Sequence, residues 1–106
     1  MVKRFEVWHV DLNPTVGSEI NKIRPCLIVS PDEVNKHLNT VIIVPLTNTL
    51  KPYPTRIDCQ FMGKQGQLAI DQVRSIDKSR LSRKLGTMDM ETSEKICSRL
   101  IETFRF

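Results

Sequence analysis

A few polar side chains, each beside a predicted strand end, could act on a phosphodiester. Arg24 precedes the apolar run that begins at Pro25, Thr47 follows the run that ends at Leu46, and Glu19 lies in a polar loop. A carboxylate can accept a proton, a guanidinium can hold a phosphate through two N–H groups, and a hydroxyl can donate a hydrogen bond to it. Because RNA supplies its own nucleophile, the 2′-hydroxyl, such a set can work without a metal ion.

More polar residues follow the same strand ends. Asn48 comes directly after Thr47, and Asp71, Gln72 and Arg74 follow the fifth predicted strand. Each also has an ordinary structural explanation, since an Arg is often an ion-pair partner and a Thr or Asp often accepts a hydrogen bond in a turn. The residue types alone leave both explanations open.

The sequence offers few groups for other chemistry. No CxxC pair occurs among the three cysteines, and His9 and His37 have no neighbour at the spacing of metal ligands. We therefore expect neither a metal site nor a cofactor. Cys26 and Cys59 lie in apolar, strand-like surroundings and are expected to be buried free thiols.

Residue periodicity predicts the elements that position these groups. Alternation and apolar runs indicate five to seven short strands, with a tight hairpin turn at 63–66 and with Pro45 at a strand end or an unpaired edge. The predicted strands include residues 5–12, 25–30, 40–46, 55–61 and 67–70. The loops 15–23 and 49–54 between them are candidates for contacting a ligand.

Two helices are expected beside the strands. Residues 32–38 form a short helix with Asp32 as its cap, and a C-terminal helix begins after Asp89 or Thr92. Four residues at helical spacing give the second helix its apolar stripe: Ile96, Leu100, Ile101 and Phe104. The expected fold class is mainly β, a small barrel or sandwich with a C-terminal helix.

Length and composition fit one small globular domain spanning residues 1–106. Hydrophobic residues make up 40% of the chain and charged residues 26%, which argues against disorder. No apolar run approaches the roughly 20 residues of a membrane span, and the first residues lack the apolar region of a secretory signal. We expect a cytoplasmic protein with no membrane partner.

The positive charge is concentrated in one segment, residues 74–84, which we call the basic segment. It carries five Lys or Arg residues against Asp77 alone, and the resulting +4 equals the net charge of the whole chain. Such a cluster can bind nucleic-acid phosphates or an acidic protein segment. A solvated loop without a partner is the plainer alternative.

Three sequence blocks resemble the MazF/PemK family of type II toxin–antitoxin endoribonucleases. They are VWHVDLNPTVGSEINKIRPCLIVS at 7–30, VPLT at 44–47 and DQVRSIDKSRL at 71–81. The resemblance implies a small SH3-like β-barrel of five to seven strands with a C-terminal helix, of the kind that MazF, CcdB and PemK toxins share, acting as a homodimer. It also implies metal-independent, sequence-specific cleavage of single-stranded RNA, chiefly mRNA, and inhibition of growth. The products would carry a 2′,3′-cyclic phosphate and a 5′-hydroxyl, and an antitoxin with an acidic C-terminal segment would occupy the RNA groove.

Carried over residue by residue, the resemblance makes Arg24, Thr47 and Glu19 the catalytic candidates. A PemK-type acid–base pair cannot be transferred, because Ala69 and Ser18 stand where that branch has Arg and His. The remaining candidates are assigned to RNA binding or to support of the site: Ser18, Asn48, Tyr53, Asp71, Gln72, Arg74, Lys78 and Arg80. Tyr53 could stack on a base.

Two other functions remain open at this point. One is a non-catalytic toxin of the same fold that acts on DNA gyrase, and the other is a nucleic-acid-binding module that has lost activity. Only an endoribonuclease of this family predicts RNA cleavage in the presence of EDTA.

Overall fold

The computed structural model, which describes all 106 residues, contains seven strands and two helices. In order they are β1 (Glu6–Asp11), β2 (Ile23–Ile28), α1 (Asp32–His37), β3 (Thr40–Thr47), β4 (Arg56–Phe61), β5 (Lys64–Ala69), β6 (Arg74–Asp77), β7 (Leu81–Thr87) and α2 (Met90–Phe104). Short 3-10 turns at Ile70–Gln72 and Lys78–Arg80 flank β6. Neither helix combines the length and the hydrophobicity that crossing a bilayer requires.

All strand pairs are antiparallel. The order is β4-β5-β3-β2-β1-β7, and β6 pairs with the first half of β3. No ladder joins β4 to β7, although the two approach closely, since a Cβ on Gly86 would lie 3.1 Å from Cζ of Phe61. The predicted mainly β fold with a C-terminal helix is confirmed. Hydrogen bonds do not close the barrel, because no ladder joins β4 to β7.

Pro45 lies inside β3 rather than at its end. The strand pairs with β6 through Ile43 and with β5 from Leu46 onward, so Pro45 falls at the change of partner. Its other neighbour is β2, where it stands opposite Cys26. The carbonyl of Ile42 accepts a hydrogen bond from Val29 on the β2 side, so the alternation of the strand turns Pro45 towards the gap between β6 and β5. The sheet therefore loses no hydrogen bond through the missing N–H of Pro45. As predicted, this proline lies at an unpaired edge.

Two apolar clusters lie on opposite faces of the β1–β2–β3 sheet. One contains Val7 and Leu27 and is covered by α2 through Ile96; the other contains Val10 and Ile28. The predicted alternation in β4 is confirmed, with Ile57, Cys59 and Phe61 inward and their neighbours outward. Cys26 and Cys59 are buried free thiols, as predicted. Burial raises the pKa of Cys26 to about 12 and that of Cys59 to about 11.

The hairpin turn between β4 and β5 differs from the prediction. It is formed by Met62 and Gly63, both with positive φ, at 52° and 76°. Residues 64–66, which were assigned to the turn, instead begin β5 and pair with β4. Two left-handed residues in succession match the right-handed twist of a two-residue hairpin, and Gly tolerates the second position without strain.

The basic segment is also not a loop. Its first residues form β6 and a 3-10 turn, and Leu81 to Lys84 belong to β7, which pairs with β1 at the edge of the sheet. The pattern was misleading because the side chains at positions 82–84 of this edge strand are exposed, so polar residues are tolerated there.

The helix ends agree only in part with the predictions. Asp89 caps α2 by accepting a hydrogen bond from the Thr92 amide at 2.9 Å, as expected. Pro31, not Asp32, occupies the cap position of α1, and the Asp32 carboxylate accepts from the Arg4 amide at 2.7 Å. Of the predicted apolar stripe on α2, Ile96 is fully buried, Leu100 is half-buried, and Ile101 and Phe104 are exposed.

Candidate active site at the ends of β2 and β3

Arg24 and Thr47 lie on neighbouring strands and line the same cleft. In the β2–β3 ladder Cys26 stands opposite Pro45 and Leu27 opposite Val44, so the same register continued by two residues brings Arg24 opposite Thr47. The cleft between them encloses about 240 Å³. It is lined by Ile23, Arg24, Pro25, Leu46, Thr47, Asn48, Lys64 and Gln65. The structure thus brings together three of the predicted site residues: Arg24, Thr47 and Asn48.

Local hydrogen bonds orient both side chains. Nε of Arg24 donates to the carbonyl of Asn21 at 2.7 Å, which leaves its two terminal NH₂ groups for a ligand. Oγ1 of Thr47, a residue only 5% exposed, accepts from the Thr49 amide at 3.1 Å, so its hydroxyl proton remains available to donate. A guanidinium and a hydroxyl held side by side in this way can share one phosphate.

Lys64 and Gln65 form the opposite wall of the cleft and were missed from the sequence. They belong to the start of β5, which was predicted as a turn. No acidic residue lines the cleft. A second cleft of about 250 Å³ shares Pro25, Leu46 and Lys64 with the first, and its lining adds one cation from β7, Arg83. The two clefts together form a trough that suits an anionic ligand.

Glu19 stands apart from this cleft. It lies in the loop of residues 12–22 that joins β1 to β2, and its Oε1 accepts a hydrogen bond from the Val16 amide at 2.6 Å. Ser18 beside it is exposed. In the free protein, therefore, the Glu19 carboxylate stabilises its own loop.

Tyr53 lies in the loop of residues 48–55 that joins β3 to β4, with 49% of its surface exposed. The guanidinium of Arg56 lies 5.5 Å from the centre of its ring, a cation–π contact that holds the ring. A base could stack on whatever part of the ring this contact leaves exposed.

A buried glutamine missed from the sequence anchors the other end of the same loop. Gln67 on β5 accepts from the Lys51 amide at 2.9 Å and donates to the Lys51 carbonyl at 3.0 Å. It also donates to Asp58 at 2.9 Å. The available signal was a polar residue at the start of the predicted strand 67–70, directly before three apolar residues.

The predicted residues Asp71, Gln72 and Arg74 form bonds within the protein. Asp71 holds Arg56 through two hydrogen bonds of 2.8 and 3.1 Å. Those bonds, together with one from Thr55, lower the pKa of Asp71 despite its partial burial, and they raise that of Arg56. Gln72 accepts from the Ile20 amide at 3.2 Å, and Arg74 donates to the Leu12 carbonyl at 3.3 Å.

Most cations of the basic segment also have partners. Lys78 donates to the Asn35 carbonyl, and Arg80 donates to the carbonyls of Asp11 and Asn13. Lys84 lies 2.8 Å from Glu6, which is 6% exposed. Burial alone would raise the pKa of Glu6, but hydrogen bonds from Lys84, the Lys3 amide and Trp8 together lower it.

Arg83 is the one cation of the segment that lines the trough, and its side chain makes neither an ion pair nor a hydrogen bond. No group of three or more His, Cys, Asp or Glu side chains in the protein is arranged to hold a metal ion.

Known proteins resemble this chain in sequence and in fold. Endoribonuclease EndoA of Bacillus subtilis (strain 168) is 33% identical over 102 residues, covering 91% of this chain and 88% of the relative. Among solved structures, MazF from Deinococcus radiodurans has a TM-score of 0.88 at 22% identity, over 99% of this chain and 97% of that one. A mycobacterial endoribonuclease in complex with its cognate antitoxin has a TM-score of 0.81 at 27% identity, over 96% and 93% of the two chains.

Residues 3–104 match the family described as PemK-like, MazF-like toxin of type II toxin–antitoxin system. The match covers nearly the whole chain, and the fold, with seven antiparallel strands and a C-terminal helix, is that of the solved MazF structures. The chain therefore belongs to the PemK-like, MazF-like toxins of type II toxin–antitoxin systems.

Proposed function

We propose that this toxin is an endoribonuclease that cleaves single-stranded RNA, chiefly mRNA, in the cleft between Arg24 and Thr47. The observation that carries the proposal is the placement of these two residues opposite one another at the ends of β2 and β3. Both residues and Lys64 line the same cleft, whose lining contains no acidic residue. The similarity to EndoA supports the same activity.

In the proposed reaction the 2′-hydroxyl oxygen attacks the adjacent phosphorus, and the bond from phosphorus to the 5′ oxygen breaks. The products are a 2′,3′-cyclic phosphate and a 5′-hydroxyl. Arg24 binds the non-bridging oxygens with its free NH₂ groups and stabilises the charge that develops on them. Thr47 donates a hydrogen bond from its hydroxyl to an oxygen of the same phosphate.

Two protons must move in this reaction. We assign acceptance of the 2′-hydroxyl proton to Glu19 and transfer of a proton to the leaving 5′ oxygen to Arg24, which then takes up a proton from water. Because the Glu19 carboxylate accepts a hydrogen bond from the Val16 amide in the free protein, its role requires bound RNA to release that bond and turn the Glu19 side chain towards the cleft. A carboxylate in this role contributes a factor of about 10²–10⁴ to a rate.

Recognition of RNA bases is assigned to the two loops beside the cleft. Tyr53 offers an exposed ring for stacking, and Ser18 and Asn48 offer polar groups for base edges. Sequence-specific cleavage follows if only certain bases satisfy these groups.

The antitoxin, the homodimer and the cytoplasm are the expected context of this activity. We propose that a cognate antitoxin covers the trough with an acidic C-terminal segment, which the cationic lining favours and the mycobacterial complex supports.

The exposed Ile101 and Phe104 on α2 offer an apolar surface to a second copy. Three unpaired cysteines suit a reducing compartment.

The test is cleavage of a long RNA in EDTA by the purified chain and by Arg24→Ala. The unaltered chain should cut at a few defined sequences, and Arg24→Ala should lose at least 100-fold in rate. Lys36→Ala, an exposed cation on α1 far from the cleft, is the matched control and should cut normally. A 2′-deoxy substitution at the cleaved position should block the reaction.

Two results would contradict the proposal. Full activity of Arg24→Ala would move the site elsewhere on the protein. Failure of the unaltered chain to cut any RNA would favour a non-catalytic toxin, and inhibition of DNA gyrase would then be the next measurement.

A further inference from the structure

Both loops beside the cleft form hydrogen bonds with one short stretch of the chain. That stretch contains Asp71, Gln72 and Arg74. Asp71 and Gln72 belong to the 3-10 turn after β5, and Arg74 opens β6. The backbone of this turn is fixed by Ile70, which is fully buried and donates its amide to the Thr55 carbonyl at 2.9 Å. We call these three residues the clasp.

Asp71 holds the loop of residues 48–55. Besides its two bonds to Arg56, it accepts from the Thr55 hydroxyl at 3.0 Å. The Arg56 side chain is only 9% exposed and packs against the ring of Tyr53, while its backbone amide donates to the Tyr53 carbonyl at 3.0 Å. The orientation of Tyr53 is therefore set by Asp71 through Arg56.

Gln72 and Arg74 hold the loop of residues 12–22 instead. Gln72 accepts from the amide of Ile20, the residue after Glu19, and Arg74 donates to the carbonyl of Leu12, where the loop begins. Ile20 also packs its side chain against the buried cluster of Val10 and Ile28. The two bonds fix the start and the far side of the loop relative to β6.

We propose that the clasp consists of positioning residues that set which RNA sequence is cleaved, without touching RNA themselves. The inference rests on the proposed endoribonuclease function, because it assigns a role within that reaction. Asp71 bonds to one loop and Gln72 to the other, and the two residues are adjacent in one 3-10 turn. The positions of the two loops relative to one another are therefore set before RNA binds. Removing the bonds from the clasp to either loop should lower the preference for one RNA sequence over others. The cleavage rate at saturating RNA should change less.

The first test separates positioning from RNA contact at Gln72. Gln72→Met has similar length but no acceptor for the Ile20 amide, whereas Gln72→Glu keeps the acceptor and adds a negative charge. Positioning predicts that Gln72→Met lowers the preference for the best cleavage sequence over single-base variants at least tenfold, and that Gln72→Glu restores it. If Gln72 contacted RNA, the added charge would make Gln72→Glu the weaker variant, which would overturn the proposal.

The second test asks whether Asp71 acts through Arg56. We expect Asp71→Asn, Arg56→Met and the double variant to give the same relaxed cleavage map, with KM raised several-fold and kcat changed less than threefold. Effects that multiply in the double variant would mean that Asp71 reaches RNA independently, and the proposal would fail. Trp8 fluorescence verifies that each variant is folded. Should Gln72→Met not fold, Gln72→Asn withdraws the acceptor with less change in polarity.

Hydrogen exchange distinguishes failure of this inference from failure of the proposed function. The Ile20 amide should exchange at least tenfold faster in Gln72→Met than in the unaltered chain and Gln72→Glu, whether or not the protein cuts RNA. The Arg56 amide should behave in the same way in Asp71→Asn. Unchanged exchange in both variants would show that the clasp does not hold the loops. Changed exchange without any RNA cleavage would refute the proposed function, and with it the clasp's role in selecting sequences.

Discussion

Arg24 and Thr47 line one cleft, and the register of β2 and β3, continued two residues beyond the Cys26–Pro45 pair, places them opposite one another. Side chains directly opposite in an antiparallel pair have Cβ atoms about 4.5–5.5 Å apart, which is close enough for both to contact one phosphate. A substitution at either position can therefore remove a donor without altering the placement of the other.

Replacement of Thr47 should separate the contribution of its hydroxyl to cleavage from that of the rest of the side chain. We expect Thr47→Val to lower the cleavage rate by about 10²–10³, the usual loss for one donor to a developing oxyanion, and Thr47→Ser to stay within tenfold of the unaltered chain. The measurement is single-turnover cleavage of a short RNA. Equal rates for Val and Ser would show that the hydroxyl does no chemistry.

Glu19→Gln tests the proposed proton acceptor. The amide oxygen can still accept from Val16, so the loop should keep its shape while the proton acceptor is lost. We expect kcat, measured as single-turnover cleavage of a short RNA, to fall by about 10²–10⁴. An unchanged kcat would assign proton transfer to another group.

The salt dependence of RNA binding should depend on Arg83 more than on its neighbours. Arg83 lines the trough without a partner, whereas Lys84 is paired with Glu6 and Arg80 with backbone carbonyls. Arg83→Gln should reduce the slope of log K against log salt by about 1. Lys84→Gln should instead lower stability, because Glu6 loses a partner, and change the slope less. Identical slopes for the two variants would refute this division.

The Asp71–Arg56 pair should stabilise the fold in a pH-dependent way. The pKa of Asp71 is lowered from its ordinary 3.8, chiefly by hydrogen bonds from Arg56, so its stabilisation is complete above that pH and is lost as the pH falls through the lowered value. We expect Asp71→Asn to cost about 1.5–3 kcal/mol of unfolding free energy at pH 7.

Urea unfolding at pH 7 and at pH 2.5 measures this difference, which should shrink at the lower pH. Glu94→Gln, an exposed carboxylate on α2, is the control and should behave like the unaltered chain at both. A difference that stays constant with pH would mean that Asp71 acts through shape rather than charge.

The three thiols should react at different rates. Burial raises the pKa of Cys26 to about 12 and that of Cys59 to about 11, while Cys97 is half-exposed beside the Arg4 guanidinium at 3.5 Å. A thiol reagent at pH 8 should therefore label one cysteine quickly and all three only after unfolding. Three equivalents reacting at once would show that the apolar clusters open readily.

Much of the fold follows from local pattern, because strand alternation and helix caps are local properties. The inward face of β4 and the Asp89 cap of α2 were predictable for this reason. The β7 strand was not, since the exposed side chains of an edge strand can be as polar as a loop. The turn at Met62 was missed because a non-glycine residue with positive φ leaves no signal in composition.

The site was predictable as residue types but not as an arrangement. That Arg24 stands opposite Thr47 depends on the register between β2 and β3, which the sequence of neither strand specifies alone. Lys64 could not be assigned to the cleft while it was taken for a turn residue. For Asp71, the decisive partner is Arg56, which becomes visible only once β4 and β5 are paired.

The change of partner along β3 at Pro45 determines which movements can alter the cleft. Arg24 and Thr47 belong to one antiparallel pair, so shifting one past the other would break backbone hydrogen bonds. The hairpin of β4 and β5, which carries Lys64, joins β3 only through Leu46 and Thr47. Movement of this hairpin should therefore change the Lys64 side of the cleft more than the Arg24 side. The Arg24 side suits the phosphate, which is the same in every nucleotide, and the Lys64 side suits nucleotides of different size.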